Sequence, residues 1–202
     1  MVSASRRTQA DRSSATREAL IRAARPLFAA HGFAAVSTET IVAAAGVTRG
    51  AMYHHFADKT ELFAVVFETV EIEVTELLAT EAFASGETDP VALMRLGARA
   101  WLDACADPEV QRIVLLEAPS VLGWTRWREI GQTYGLGLVA GMLQGAMDAG
   151  RLPEQPVKPL AHVLMGALDE AALYIAQSTD PVQARAEMQA ALDFFLDGLI
   201  SA

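Results

Sequence analysis

Residues 32–63 read GFAAVSTETIVAAAGVTRGAMYHHFADKTELF. Ser37 precedes a short apolar-faced segment (Ile41, Val42, Ala44, Ala45), and its hydroxyl can cap a helix over about 37–45. Gly46 can take the left-handed conformation that ends such a helix. Val47 is an apolar plug in the turn, and Thr48 can cap a second helix over 48–55. Two short helices joined by a four-residue turn with Gly make a helix-turn-helix. Met52 and Phe56, at i and i+4, face the core and leave Arg49, Gly50, Ala51, Tyr53 and His54 on the outside. Small residues at 50 and 51 let the backbone come close to a duplex. Arg49 can make two bonds to a guanine edge, and the Ala51 methyl can meet a thymine methyl. Tyr53, His54 or His55, and Lys59 suit phosphate oxygens. The blander readings stand beside these: such turns occur in many helical proteins, and Tyr-x-His-Phe also suits a packed aromatic pair with a buried histidine.

Outward from this stretch, helical periodicity runs almost throughout. Upstream, Leu20, Ile21, Ala24, Leu27 and Phe28 recur at helical spacing until His31-Gly32. Residues 1–13, with Arg6, Arg7 and Arg12 among small polar residues, read as a flexible basic arm. Downstream, Asp58 and Glu61 have capping-box spacing at the head of a long helix over about 59–84. Asp89-Pro90, Asp107-Pro108 and Asp180-Pro181 each pair a capping carboxylate with a proline that needs no donor. They predict helices near 90–106, 108–117 and 181–200, and two more fit 124–149 and 157–178. No segment alternates with period two, so the fold class is all-α, with about nine helices. The expected domains are the arm (1–13), a three-helix helix-turn-helix domain (14–58) and a helical bundle for ligand binding and dimerisation (59–202).

Composition agrees with two jobs at two ends. The 202 residues are 52% hydrophobic, with mean hydropathy +0.24, too apolar for a disordered chain. The net charge of −9 hides a split. Residues 1–60 carry eight Lys/Arg against four Asp/Glu, while the other 21 acidic residues face only eight basic ones. The basic end is where contact with a nucleic acid is expected. Cys105 is the single cysteine, so there is no intramolecular disulfide and no cysteine-based zinc site, and a reducing, cytoplasmic setting is the simplest expectation. The uncharged run Ile130–Met147 holds five glycines and two glutamines, which predicts a buried helix and not a membrane span.

With these residues in view, the N-terminal quarter resembles the DNA-binding domain of the TetR family of bacterial transcriptional regulators. The motif residues are Ser37 and Ile41, then Ala45-Gly46-Val47-Thr48, Gly50, Tyr53, His55-Phe56, Lys59 and Leu62. The resemblance implies a homodimer that places the helix headed by Thr48 in the major groove. It assigns DNA contacts to Thr38, Arg49, Gly50, Ala51, Tyr53, His54, His55 and Lys59, with Thr48 at their head. Glu39 departs from this, since a negative charge near phosphate is unhelpful. The adjacent His54 and His55 suggest affinity that rises below about pH 6.5.

Three features of the remainder have two readings each. Gly137, Gly141 and Gly145 form a smooth stripe that lets another helix approach or lines a pocket. Trp101, Cys105, Trp124, Trp127, Tyr134, Met142, Met165 and Tyr174 suit a core, or a ligand cavity between helices with Glu117, His162 and Asp169 as polar contacts. Leu164, Leu168, Ala171 and Ile175, then Ala184, Met188, Ala191, Phe195 and Leu199, hold helical spacing as internal core or as a partner seam. Phe194 and Phe195 cannot both face one core, and the resemblance places the dimer interface on these last two helices.

No catalytic constellation, metal-ligand cluster or cofactor motif is present, so an enzyme is not expected. The expected function is that of a ligand-responsive regulator, a repressor by family habit. It would bind a palindromic double-stranded operator as a homodimer and be released by a small apolar or aromatic effector. The alternative is a helical interaction protein with a vestigial DNA module, which would have no reason to keep Arg49, Tyr53 and Lys59 together.

Overall fold

The structure is a computed structural model and describes residues 9–200. Helices follow one another in the order α1 (Gln9–His31), α2 (Thr38–Ala45), α3 (Arg49–His55), α4 (Lys59–Ala84), α5 (Pro90–Ala104), α6 (Pro108–Val110), a π-helical segment (Gln111–Glu117), α7 (Ala118–Thr133), α8 (Gly135–Asp148), α9 (Val157–Gln177) and α10 (Pro181–Ile200). The stretch from α6 through α7 is one continuous run kinked at Gly123, so the described residues hold nine helical runs and no strand. They divide into two compact units, through Phe67 and from Glu68 on, with the boundary inside α4.

The first unit is ordered by the capping chemistry its sequence implies. Ser37 accepts from the Thr40 N–H at 3.1 Å, and Thr48 accepts from the Ala51 N–H at 3.1 Å. Gly46 closes α2 with φ +66° and donates to the carbonyls of Ala43 and Val42, a left-handed cap that side chains with a Cβ rarely adopt. Leu20, Ala24, Phe28, Ile41, Met52, Phe56 and Phe63 are buried beneath these turns. The Phe28 and Phe63 rings meet edge to face, with centroids 5.2 Å apart. α1 begins at Gln9, so residues 9–13, expected in a flexible arm, are helical; Arg6 and Arg7 lie outside the described residues.

In the second unit α5 packs against α8, α9 and α10. Asp89, Asp107 and Asp180 each accept a backbone N–H at the helix starts their Asp-Pro pairs predict. Two breaks differ from expectation. The helix from Pro108 does not stop near 117. The Ala118 N–H reaches back five residues to the Ile113 carbonyl, and the run continues through Pro119 in the first turn of α7. The run then kinks at Gly123 (φ +75°, ψ 157°), a conformation open essentially to glycine alone. Conversely, the helix expected over 124–149 is interrupted at Tyr134 (φ −111°, ψ −90°). Within the glycine stripe a Cβ at Gly141 or Gly145 would meet nothing within 4 Å, one at Gly137 would meet the Gln132 carbonyl at 3.5 Å, and all three glycines line an open groove with Pro90 and Leu93 of α5. Charged pairs tie α5 to α10: Arg95 bonds Asp193 at 3.0 Å and also Asp197, and Arg185 bonds Asp103 at 2.7 Å. No described helix is long and apolar enough to cross a membrane.

Candidate functional site

α3 turns one face inward and offers the other. Met52 and Phe56 are buried, while Thr48, Arg49, Gly50, Tyr53 and His54 are exposed, Tyr53 by 44%. Ala51 and His55 are half-buried, as is Thr38 at the first position of α2. The outward set is chemically coherent: a fork of donors, a residue without side chain, a phenol and an imidazole on one short helix.

Two side chains prepare Arg49. Its Nη1 donates to Glu39 Oε1 at 2.7 Å, and its guanidinium lies 5.5 Å from the Tyr53 ring centroid. Glu39, which sequence reasoning treated as an obstacle near phosphate, is therefore the partner that orients the arginine across the α2–α3 turn. Lys59 is placed differently from the expectation of a phosphate contact. It is half-buried over the Phe33 ring, and Nζ donates to the carbonyls of Phe33 and Val36, both at 2.8 Å. Two of its three donors thus tie down the loop that precedes α2. Burial lowers the His55 pKa below the usual 6.5, and His54 and Arg17 add repulsion. His55 therefore gains its charge only at more acid pH than the histidine pair suggested.

The second unit holds an apolar chamber that is partly open to solvent. Met94, Trp101, Met142, Met165 and Leu168 line it, and Glu71 enters from α4. A narrower, more polar recess shares Glu71, Trp101 and Met165 with the chamber and adds Trp127, Arg128 and Asp169. Glu71 is only 8% exposed and has no hydrogen-bond partner among the described residues. Burial pushes its pKa up to about 7, with repulsion from Asp169 adding to the effect. Asp169 is pushed up to about 6 by burial, against the pull of Arg128, whose Nη1 lies 4.0 Å from Asp169 Oδ2. Trp101 is 7% exposed, and its indole N–H is buried without an acceptor among the described residues.

Of the expected ligand contacts, Trp101, Trp127, Met142, Met165 and Asp169 line these two cavities, and the others do not. Trp124 is 65% exposed and stacks its edge on Trp127, with Arg128 over both rings. Tyr134 donates to Glu68 at 2.9 Å. Cys105 is buried, and its thiol pKa is pushed up by burial and by Asp169 and Glu71. Glu117 and His162 are half-buried elsewhere. The expected dimer seam is also redistributed. Leu164 and Leu168 face the chamber and Ala171 is buried, so these three belong to the core of their own chain. Ile175, Met188 and Phe195 are half-buried, while Ala191 and Phe194 are exposed, Phe194 by 82%.

Residues 20–66 match the model of bacterial regulatory proteins of the tetR family, and residues 68–199 match that of the tetracyclin repressor-like C-terminal domain. The chain belongs to the TetR family of transcriptional regulators. It is similar to a crystal structure of a TetR-family transcriptional regulator from Pectobacterium atrosepticum, with 34% identity, coverage of 97% of this chain and 99% of that one, and a TM-score of 0.78. It is 26% identical over 161 residues to the transposon Tn10 TetC protein of Escherichia coli, covering 78% of this chain and 79% of that protein. It is 32% identical over 109 residues to the HTH-type transcriptional repressor BepR of Brucella suis, 54% of this chain and 51% of BepR.

Membership in the TetR family makes this a DNA-binding transcriptional regulator and not an enzyme. Sequence reasoning about this regulator missed Glu71 and Arg128. A signal for Glu71 was present: it lies four residues after Phe67 and seven before Leu78, within the buried stripe of α4. Nothing in the sequence pointed to Arg128, which is exposed or buried according to where the α7 kink sends it.

Proposed function

We propose that this TetR-family protein is a ligand-responsive repressor that binds a palindromic operator as a homodimer. The outward face of α3 carries the reading: Arg49, Gly50, Tyr53 and His54 stand exposed over a buried Met52 and Phe56. Each α3 enters a major groove, with the two half-sites about 34–36 Å apart or a multiple of that. Arg49 reads a guanine edge and Ala51 a thymine methyl. Thr38, Thr48, Tyr53, His54 and His55 position the module on phosphates, while Lys59 holds the loop before α2 in place. Repression follows the habit of the family and of the similar repressor BepR. The work is done where the chromosome is, in the bacterial cytoplasm.

The second unit takes the effector and the partner subunit. A second copy covers the outer sides of α9 and α10, where Tyr174, Phe194 and the neighbouring Ala191 are exposed. An effector in the chamber favours a conformer with the wrong spacing of recognition helices. The coupling runs through α4, which carries Lys59 in one unit and Glu71 in the other. Tenfold release needs about 1.4 kcal/mol of preference for that conformer.

Selection of bound fragments from a random double-stranded DNA pool tests the reading. It should recover inverted half-sites at a fixed spacing, bound with steep salt dependence by a species that sediments as a dimer. Recovery of no enriched sequence, together with no salt-sensitive retention on any duplex, overturns it.

A further inference from the structure

We propose that the chamber of the second unit takes an organic monocation with an apolar, ring-sized body, its positive nitrogen seated at the Glu71 carboxylate. This rests on the reading of the protein as a ligand-responsive regulator and names the charge class of its effector.

Charge and hydrogen bonding at the site lead there. Glu71 projects from α4 into a wall of Met94, Met142, Met165 and Leu168, more than nine-tenths buried and with no donor on its oxygens. A carboxyl held among apolar side chains without a protein donor is costly to ionise unless a counter-charge joins it. The other charged and titratable groups around it come from three elements. Asp169 of α9 and Arg128 of α7 face each other at 4.0 Å and offset one another. Cys105, just past α5, is a neutral buried thiol. With Glu71, Asp169 and Arg128 ionised, the site carries one uncompensated negative charge. A monocation balances it and holds Glu71 ionised, a neutral molecule meets the protonated carboxyl and gains no charge pairing, and an anion has to compete with Asp169 for Arg128.

A second feature points to a ligand independently. Trp101 lines both the chamber and the recess, is itself more than nine-tenths buried, and leaves its indole N–H without an acceptor. A donor left so calls for an acceptor on the body of the ligand, apart from its charged nitrogen. The methionines give a wall that re-forms around rings of different outline. The Met165 methyl already lies where a Cβ on Gly135 would come within 2.8 Å, so space on that side is set by a flexible side-chain end.

The test uses the full chain and three probes of one shape: naphthylmethylammonium, naphthylmethanol and naphthoate. Each is titrated calorimetrically at about pH 7 while tryptophan fluorescence is followed. The ammonium should bind about tenfold or more tightly than the alcohol and the carboxylate. Cation binding drives Glu71 to its ionised form, so the heat should differ between phosphate and Tris buffers as a proton is released. In Glu71→Gln the preference and the proton release should both vanish while naphthylmethanol still binds.

Equal affinities for the three probes, tightest binding of naphthoate, no binding of the ammonium, or a preference surviving in Glu71→Gln each overturn the proposal. The wild-type comparison decides even if the variant folds poorly. Release of the selected operator is followed in parallel: release by naphthylmethanol without cation preference defeats the charge assignment and leaves the ligand-responsive reading standing.

Discussion

Arg49 sits between Glu39, 2.7 Å from its Nη1, and the ring of Tyr53. Its fork is thus oriented before any base is met, which lowers the ordering cost of a bidentate contact. Arg49→Ala should weaken operator binding by about 1–3 kcal/mol and relax preference at one base position, measured by fluorescence anisotropy on the operator and its single-base variants. Because the ion pair is exposed on both sides, the melting temperature should barely move. Lys59 behaves in the opposite way. Its ammonium holds the carbonyls of Phe33 and Val36, and removing a charged donor from half-buried acceptors costs about 2 kcal/mol. Lys59→Ala should shift the urea midpoint downward and leave the salt slope of DNA binding as it was. A flattened slope with unchanged stability would return Lys59 to the phosphates.

At the scale of elements, most helix starts were legible, because a cap is a local contract between a side chain and an N–H two or three residues on. Ser37, Thr48, Asp58, Asp89, Asp107 and Asp180 all accept such a bond. The middle of the second unit was not legible. The helix expected to end near 117 runs on through the π-helical segment Gln111–Glu117 into α7, and the turn of direction falls on Gly123. Gly123→Ala meets no atom within 4 Å, so its cost is conformational alone. A loss of about 1–3 kcal/mol is expected, seen as a lower midpoint in circular dichroism melting. An unchanged midpoint would show that the helix can straighten without strain.

For the whole molecule, the buried carboxylates set the pH dependence of stability. The Glu71 pKa stands at about 7 against an ordinary 4.5, and that of Asp169 at about 6 against 3.8. Between the ordinary and the raised values the folded chain binds more protons than the unfolded one, so stability falls as pH rises. The contribution of these two groups is complete in acid, below about pH 4, and is lost as pH climbs through 6 to 7. Glu71→Gln removes a charge that is costly only when ionised. Its melting temperature should exceed that of the wild type by about 5 °C at pH 8, with the gap closing toward pH 5. A gap independent of pH would mean that Glu71 reaches water in the folded chain.

Local order made the helices, their caps and the division between a basic reading head and an acidic body readable along the chain. These depend on neighbours within one or two turns, and the spacing of Ser37, Gly46, Thr48, Met52 and Phe56 carries that information outright. Which apolar side of α9 and α10 is core and which is free was another matter. Leu164 and Leu168 turn to the chamber while Tyr174 and Phe194 look outward, and periodicity alone is the same for a core and for a seam. The lone carboxylate of Glu71 is of that kind too. Its charge is ordinary until α4, α5, α7 and α9 close around it, because desolvation comes from the elements that surround a group and not from its neighbours in sequence.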